Sequence, residues 1–173
     1  MTANEALRAA METTFGGSDA SGIWDWKAAY DACEAATILF LRKYGRSIFR
    51  QSDTPEARLV ALSKISGLLP SHTRRSEESQ ALQQFSTPIT LGLAALTAAA
   101  IGINDVVLEP SAGTGLLAIL AEISGGTLIL NELADTRADL LASLFPALSV
   151  TRFDAAQIHD HIDPIAVPSV VLM

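Results

Sequence analysis

A glycine-rich segment at residues 109–115, Glu-Pro-Ser-Ala-Gly-Thr-Gly, lies between an apolar run at 106–108 and a helix-like run at 116–123. A strand, a glycine turn and a helix in this order bring the free N–H groups and partial positive charge of the helix N-terminus against a polar or anionic ligand. A Cβ at Gly113 or Gly115 would block the positive φ of the turn or the close approach of a ligand. The sequence therefore predicts a nucleotide-binding loop. The alternative is a βα turn that binds nothing.

Two acidic residues follow the next two predicted strands. Glu132 comes seventeen positions after Gly115, where a carboxylate can accept both ribose hydroxyls of a nucleoside. Asp154 follows the third strand, where a carboxylate can receive the exocyclic amine of an adenine. The alternatives are an ordinary helix-start acid for Glu132 and a surface helix cap for Asp154.

A third polar segment, Gln-Gln-Phe-Ser-Thr-Pro at 83–88, opens the helix before the first strand. Its hydroxyl and N–H groups could hold a methionine carboxylate, although by itself the segment would be only a helix cap. Residues 113–118 also fit the dinucleotide pattern G-x-G-x-x-A. The glycine loop alone therefore does not separate a nicotinamide cofactor from S-adenosyl-L-methionine.

The elements that position these residues alternate along the second half of the chain. Alternating helices and strands are typical of parallel βαβ units. We predict an α/β fold with a partial parallel sheet of about four strands. The predicted helices are 88–101, 115–123 and 135–145, and the predicted strands are 105–108, 127–131, 149–152 and the apolar run 168–173.

The first seventy residues predict helices without strands. One long helix spans 24–44, with Gly45 at the position of a C-terminal cap. A second spans 57–69, is started by Thr54 and Pro55, and is ended by Pro70. The polar run 71–80 is the expected connector. We therefore divide the chain into a helical extension with its connector, 1–80, and a partial cofactor-binding domain, 81–173.

Composition limits the function classes. The 173 residues are 49% apolar and 18% charged, enough for one packed core. A net charge of −7 argues against a grip on a nucleic-acid backbone by this chain alone. The single cysteine, Cys33, excludes an internal disulfide and a cysteine-based zinc site, and we interpret it as core filler.

Targeting signals are not evident, so we expect a cytoplasmic protein. Residues 1–15 lack the apolar core of a secretory signal. The uncharged stretch 81–104 contains Pro88 and many alanines, and we interpret it as a buried helix rather than a membrane span.

Other kinds of chemistry have weak support. Ser111 is not in a G-x-S-x-G motif, and no Ser-His-Asp or Cys-His grouping is evident. The run 159–163, His-Asp-His-Ile-Asp, is interpreted as a solvated turn, because adjacent ligands on a short loop converge poorly on a metal. Trp24 and Trp26 are interpreted as helix packing rather than a base-stacking platform.

In combination, Gln-Phe-Ser-Thr-Pro at 84–88, the loop at 109–115, Glu132 and Asp154 resemble the successive cofactor motifs of amino-methyltransferases, above all the adenine-N6 DNA methyltransferases with a Rossmann-like fold. The resemblance covers 83–173, about half of the chain. It implies S-adenosyl-L-methionine as cofactor. The segment 85–88 would contact its methionyl part and the glycine loop its backbone, whereas Glu132 would hold the ribose and Asp154 the adenine amine. The implied cofactor-binding residues are Phe85, Ser86, Thr87, Pro88, Glu109, Pro110, Ser111, Ala112, Gly113, Thr114, Gly115, Glu132, Leu133, Asp154 and Ala155.

The chain departs from that family at its end. In the family the fourth strand runs into Asn-Pro-Pro-Tyr or Asn-Pro-Pro-Phe, which holds the target amine and stacks on the extruded base. This sequence has no such tetrapeptide and stops inside the fourth predicted strand. We therefore expect a fragment with no catalytic residue and no metal, which methylates nothing alone and self-associates through that exposed strand. DNA is the expected partner of the full-length parent.

The helical front and its connector more distantly resemble the methylase-like front end of large bacterial proteins that continue into a strawberry-notch-type helicase. Three functions remain open: part of a methyltransferase, a binding module without turnover, and a nicotinamide-linked oxidoreductase. The Glu109-Pro110 pair and the segment Phe85 to Pro88 disfavour the oxidoreductase. The methyl acceptor also stays open between DNA adenine, which we favour, and RNA, cytosine amines or protein glutamine.

Overall fold

The computed structural model describes residues 1–72, 80, 85–163 and 167–173. Residues 73–79 of the predicted connector, and Gln83 and Gln84, lie outside the described residues. The helices are α1 Ala3–Phe15, α2 Trp26–Gln51, α3 Pro55–Ser66, α4 Ile89–Ala98, α5 Leu116–Ser124 and α6 Asp135–Leu144, and 3₁₀ turns form at Asp19–Ser21 and Ala155–Asp160. The strands are β1 Val106–Glu109, β2 Thr127–Asn131, β3 Val150–Thr151 and β4 Val170–Val171.

The four strands form one parallel sheet in the order β3-β2-β1-β4. Leu108 of β1 is paired with Ile129 of β2 on one side and with Val171 of β4 on the other. The predicted α/β fold with four parallel strands is confirmed, and the order is consistent with a Rossmann-like fold. Because all strands are parallel, their carboxyl ends and the loops that follow them lie at the same edge.

The first 72 residues contain helices and no strand, as predicted. Thr54 caps α3 by accepting a hydrogen bond from the N–H of Ala57 at 3.2 Å, and Pro55 is in the first turn. However, α3 ends at Ser66 and not at residue 69. The N–H of Gly67 closes the helix by donating to the carbonyl of Ser63 at 2.9 Å.

The prediction that Gly45 caps α2 is wrong. The helix continues through Gly45 to Gln51, and Gly45 is buried within it. A Cβ at this position would come within 2.9 Å of Cδ1 of Ile123 in α5. The glycine therefore permits α2 and α5 to approach closely, a role that a cap signal in the sequence does not distinguish.

The helical extension and the sheet share one hydrophobic core. Ile38 and Leu41 of α2 are fully buried in the same cluster as Leu120 of α5 and Leu130 of β2. A polar contact reinforces this packing, because Arg42 donates from Nε and Nη2 to the two carboxylate oxygens of Glu122, each at 3.0 Å. Consequently, α2 is packed directly against the helices and strands of the second half of the chain.

The stretch 81–104 supplies α4, which has ten residues and buries Ile89, Leu93 and Leu96. Over the part of the chain that the structure describes, no helix is long and apolar enough to cross a membrane. Cys33 is only partly buried, and that burial raises the pKa of its thiol. Trp24 is buried against Met11 and Ala29, in agreement with the expected packing role.

Candidate functional site

A pocket of about 500 Å³ opens at the carboxyl edge of the sheet. It is bordered by the loops after β1, β2 and β3, by the end of the chain after β4, and by the segment before α4. Of the fifteen residues predicted to bind a cofactor, thirteen line it: Phe85, Ser86, Thr87, Glu109, Pro110, Ser111, Ala112, Gly113, Thr114, Glu132, Leu133, Asp154 and Ala155. Pro88 and Gly115 are not in the lining; they start α4 and α5 respectively.

The glycine loop has the backbone that its sequence predicts. Gly113 and Gly115 have φ values of +56° and +98°, in the left-handed region that favours glycine. Gly115 is the N-cap of α5, and its carbonyl accepts from the N–H of Ile119 at 3.0 Å. A Cβ on Gly115 would lie 2.6 Å from Cε2 of Phe145. Gly115 thus sets the turn and its packing, whereas Gly113 faces the pocket.

Glu132 connects the first two loops. Its Oε2 accepts from the N–H of Gly113 at 2.7 Å, and its Oε1 accepts from the N–H of Ala134 at 2.9 Å. The side chain is buried. A carboxylate has about four acceptor positions, so these two bonds leave acceptor capacity for ligand hydroxyl groups. Glu132 therefore starts the following loop and also offers a hydroxyl-binding group to the pocket.

Asp154 both caps a 3₁₀ turn and borders the pocket. Its Oδ1 accepts from the N–H of Ala156 at 2.9 Å and caps the 3₁₀ turn. The same residue lines the pocket together with Ala155. A carboxylate can accept more than one hydrogen bond, so Asp154 keeps acceptor capacity for a donor group of a ligand.

A residue that the sequence analysis missed, Asn131 at the end of β2, holds the first and third loops together. Its Nδ2 donates to the carbonyls of Pro110 and Phe153, both at 2.8 Å. Its Oδ1 accepts from the N–H of Phe153 at 2.8 Å. The side chain is completely buried. A fully buried polar residue whose hydrogen bonds are satisfied fixes the relative position of the two loops that it joins. The one feature of the sequence that could have indicated this role is an amide directly before Glu132, at the end of a mainly apolar strand.

Glu109 is the most unusual group in the pocket. It is 4% exposed, and its Oε2 has no hydrogen-bond partner within the described ranges. Burial raises the pKa of this carboxyl well above its ordinary value, and the charge of Glu132 adds to the rise, whereas a backbone hydrogen bond from Ala118 opposes it. A neutral carboxyl would be the favoured form in such surroundings.

A stability prediction follows from this raised pKa. The unfolded chain releases the Glu109 proton near the ordinary pKa and the folded chain releases it at a higher pH, so wild-type stability declines as pH rises between the two values. Glu109→Gln lacks this titration. We expect it to be more stable than the wild type by roughly 1–3 kcal/mol at about pH 8, with the gain shrinking toward pH 4.

Thermal unfolding of both proteins across this pH range would measure the difference. Glu122→Gln is the control, because Glu122 is a partly exposed acid that is paired with Arg42. A stability difference between Glu109→Gln and the wild type that does not change with pH would contradict the assignment.

Helix α2 supplies two buried acids that support the pocket from behind. Oδ1 of Asp31 accepts from Nη2 of Arg137 at 3.0 Å, and Oε2 of Glu34 accepts from the hydroxyl of Thr114 at 2.6 Å. Arg137 and Thr114 both line the pocket. The sequence pattern does not predict this arrangement. The only signal was a pair of acids three positions apart, hence on one face of the helix, within a stretch from residue 28 to residue 41 that has no other charged residue.

The remaining pocket residues were also not predicted individually. They are mainly apolar and come from the starts of α5 and α6 and from the segment after β4: Leu116, Leu117, Ala134, Leu172 and Met173. They give the polar loops an apolar floor and wall, as is usual for small-molecule sites. Their types alone do not distinguish pocket lining from core packing.

The run 159–163 has the expected exposed character at His159 and Asp160. His161 stacks on Phe153 with ring centroids 3.7 Å apart. Among the residues that the structure describes, no group of three or more His, Cys, Asp or Glu side chains could hold a metal ion.

Comparisons of the chain with protein-family models, with curated proteins and with solved structures found no match.

Proposed function

We propose that the pocket binds S-adenosyl-L-methionine and that the chain is the cofactor-binding part of a methyltransferase with a Rossmann-like fold. In the full-length parent, the acceptor would be an exocyclic amine of DNA, with adenine N6 favoured. The observation that supports the proposal is that four separate segments, one of which is the glycine loop, line the same pocket. A turn that binds nothing would not require the other three.

The properties of the pocket support a nucleoside ligand. Its volume of about 500 Å³ falls within the range of sites for small molecules. In this proposal Glu132 accepts the ribose hydroxyls, and Asp154 with Ala155 receives the adenine edge. Phe85, Ser86 and Thr87 border the pocket from the segment before α4, where they would meet the methionyl part.

The proposed chemistry requires this chain only to bind and orient the cofactor. When bound, the cofactor supplies an activated methyl group on a sulfonium, which an amine can displace directly. The residues described above hold and orient the cofactor and exclude water from one side, so they contribute alignment and not a covalent nucleophile. This agrees with the predicted absence of a nucleophilic triad in the sequence.

Calorimetric titration with S-adenosylhomocysteine, and separately with NAD, tests the proposal. We expect binding of S-adenosylhomocysteine alone. Glu132→Ala should weaken it by at least about tenfold, equivalent to roughly 1.4 kcal/mol, because the ribose loses its acceptor and Gly113 loses the bond that orders its loop.

Asp139→Ala is the matched control, since Asp139 is an exposed acid on α6 whose carboxylate pairs with Arg152 at the surface. It should bind like the wild type. Circular dichroism would establish that each variant is folded. Binding of NAD in preference to S-adenosylhomocysteine, or no binding of either by the folded wild type, would contradict the proposed function.

A further inference from the structure

Positive charge is concentrated in one part of the chain. Residues 42–64 contain six basic and two acidic side chains, a net charge of +4, so the other residues together carry −11. These positions form the second half of α2 and most of α3. The net charge of −7 conceals this basic surface, so the argument from net charge against binding a nucleic-acid backbone does not apply to it.

A basic stripe, defined as Lys43, Arg46 and Arg50, runs along the outer side of α2. The spacing of three and four residues places the three side chains on one face of the helix, and all three are exposed. Neither Arg46 nor Arg50 has an ion-pair partner among the residues that the structure describes. Like charges at this spacing repel each other, so an anion bound between them would remove an unfavourable interaction.

The stripe borders a cleft of about 680 Å³ at the amino edge of the sheet, where Ile101 precedes β1 and Ser124 precedes β2. Arg58 adds a third arginine to its lining. Nε of Arg58 donates to the carbonyl of Ser52 at 3.0 Å, and the guanidinium lies 5.0 Å from the centre of the Phe49 ring. A guanidinium has five N–H donors, so these contacts position Arg58 and leave donors for a ligand. The one acid in the lining is Asp53, so the cleft keeps a net positive charge.

An aromatic pair, Phe40 and Tyr44, flanks the stripe. The two ring centroids are 5.0 Å apart, and the residues are 42% and 43% exposed. Nζ of Lys43 lies 5.0 Å from the centre of the Tyr44 ring. Exposed rings beside cations suit a nucleic-acid strand, whose bases stack on the rings while the cations neutralise its phosphates. An acidic peptide would match the charges, but its carboxylates offer no ring to stack on the aromatic pair.

This basic surface is separate from the cofactor pocket. Glu34, which accepts from Thr114 in the pocket lining, is 16 positions before Arg50 on the same helix. At a rise of about 1.5 Å per residue, the two positions are roughly 24 Å apart along the helix. The cleft is at the amino edge of the sheet and the pocket is at its carboxyl edge. A ligand at one site therefore leaves the other free.

We propose that this surface binds single-stranded nucleic acid, with phosphates on the basic stripe and Arg58 and with bases on the aromatic pair. The inference goes beyond the proposed function and does not depend on it. The bound strand lies at the amino edge of the sheet, away from the pocket in which the cofactor would present its methyl group.

Fluorescence anisotropy with a labelled oligothymidine of about 20 nucleotides, longer than a typical single-strand site, measures the binding constant as salt is raised. We expect saturable binding by the wild type at about 50 mM salt. Arg46→Gln/Arg50→Gln should bind at least about tenfold more weakly. Its plot of log binding constant against log salt should become shallower by about 1.4, because each lost phosphate contact removes about 0.7 from the slope.

Arg8→Gln/Arg152→Gln is the matched control. It removes the same number of positive charges from side chains that are 44% and 42% exposed elsewhere on the protein. It should keep the wild-type affinity and slope. Tyr44→Ala should weaken binding by about fivefold without a change of slope, because a base loses its stacking partner and no phosphate contact is lost.

Four results would overturn the inference: no binding by the folded wild type, equal losses in the two double variants, displacement of the oligothymidine by polyglutamate as effective as by unlabelled oligothymidine, or tighter binding to a duplex of the same length. Titration with S-adenosylhomocysteine keeps the inference distinct from the proposed function. Arg46→Gln/Arg50→Gln should bind that ligand like the wild type, and a loss of its binding would contradict the separation of the two sites.

Discussion

Replacing Asp31 by alanine should destabilise the folded protein by about 3–5 kcal/mol. Asp31 is 5% exposed and pairs with two cations, Arg137 at 3.0 Å and Lys27 at 3.1 Å. Its removal leaves the Arg137 guanidinium buried without a counterion, and Nε of that arginine already lacks a partner within the described residues. Urea unfolding of the variant and the wild type gives the difference directly.

Two further variants make this prediction specific. Asp139→Ala breaks a pair whose carboxylate is 72% exposed, and it should cost less than about 1 kcal/mol. The double variant Asp31→Ala/Arg137→Leu removes both buried charges and should recover a large part of the loss. If Asp31→Ala lowered the free energy of unfolding by less than about 1 kcal/mol, the buried pair between α2 and the pocket would contribute no more than an exposed ion pair.

The second large effect is expected at Gly115, where alanine should cost roughly 2–4 kcal/mol. Its φ of +98° is strained for any residue with a Cβ. The new methyl group would also lie 2.6 Å from the Phe145 ring and 2.9 Å from Cδ1 of Leu141. Either the ring or the start of α5 must move, so ligand binding should weaken together with stability.

Gly102→Ala is the matched control for this substitution. No atom lies within 4 Å of its added Cβ, and its φ is outside the positive range. It should change the free energy of unfolding by less than about 0.5 kcal/mol. If Gly115→Ala behaved like Gly102→Ala in chemical denaturation, the loop would not need its left-handed backbone.

The features that the sequence predicted share a local cause. The positive φ at Gly113 and Gly115 requires glycine, and an acid after a parallel strand necessarily lies at the carboxyl edge of the sheet. Alternation of helices and strands along the chain is likewise a local pattern, and it predicted the parallel sheet. Short-range chemistry was therefore enough to place Glu132 and Asp154 at one pocket.

The features that it missed depend on contacts between distant parts of the chain. Asp31 and Arg137 are 106 positions apart, and Glu34 is 80 positions from Thr114. Nothing in the local pattern of α2 indicates which acid faces a buried cation. Gly45 is a further example. A glycine after an apolar helical stripe can be a helix cap or a point of close contact with another helix, and only the folded position of Ile123 shows that it is the second.

The proposed site of the nucleoside cofactor is the pocket at the carboxyl ends of the strands. The most direct test is a two-dimensional amide NMR titration of the ¹⁵N-labelled chain with S-adenosylhomocysteine. We predict saturable shifts at Gly113, Leu133 and Ala155, one residue from each strand-end loop, with no comparable change in α1. A titration that leaves these three amides unmoved, or that moves only residues remote from the pocket, would contradict the claim.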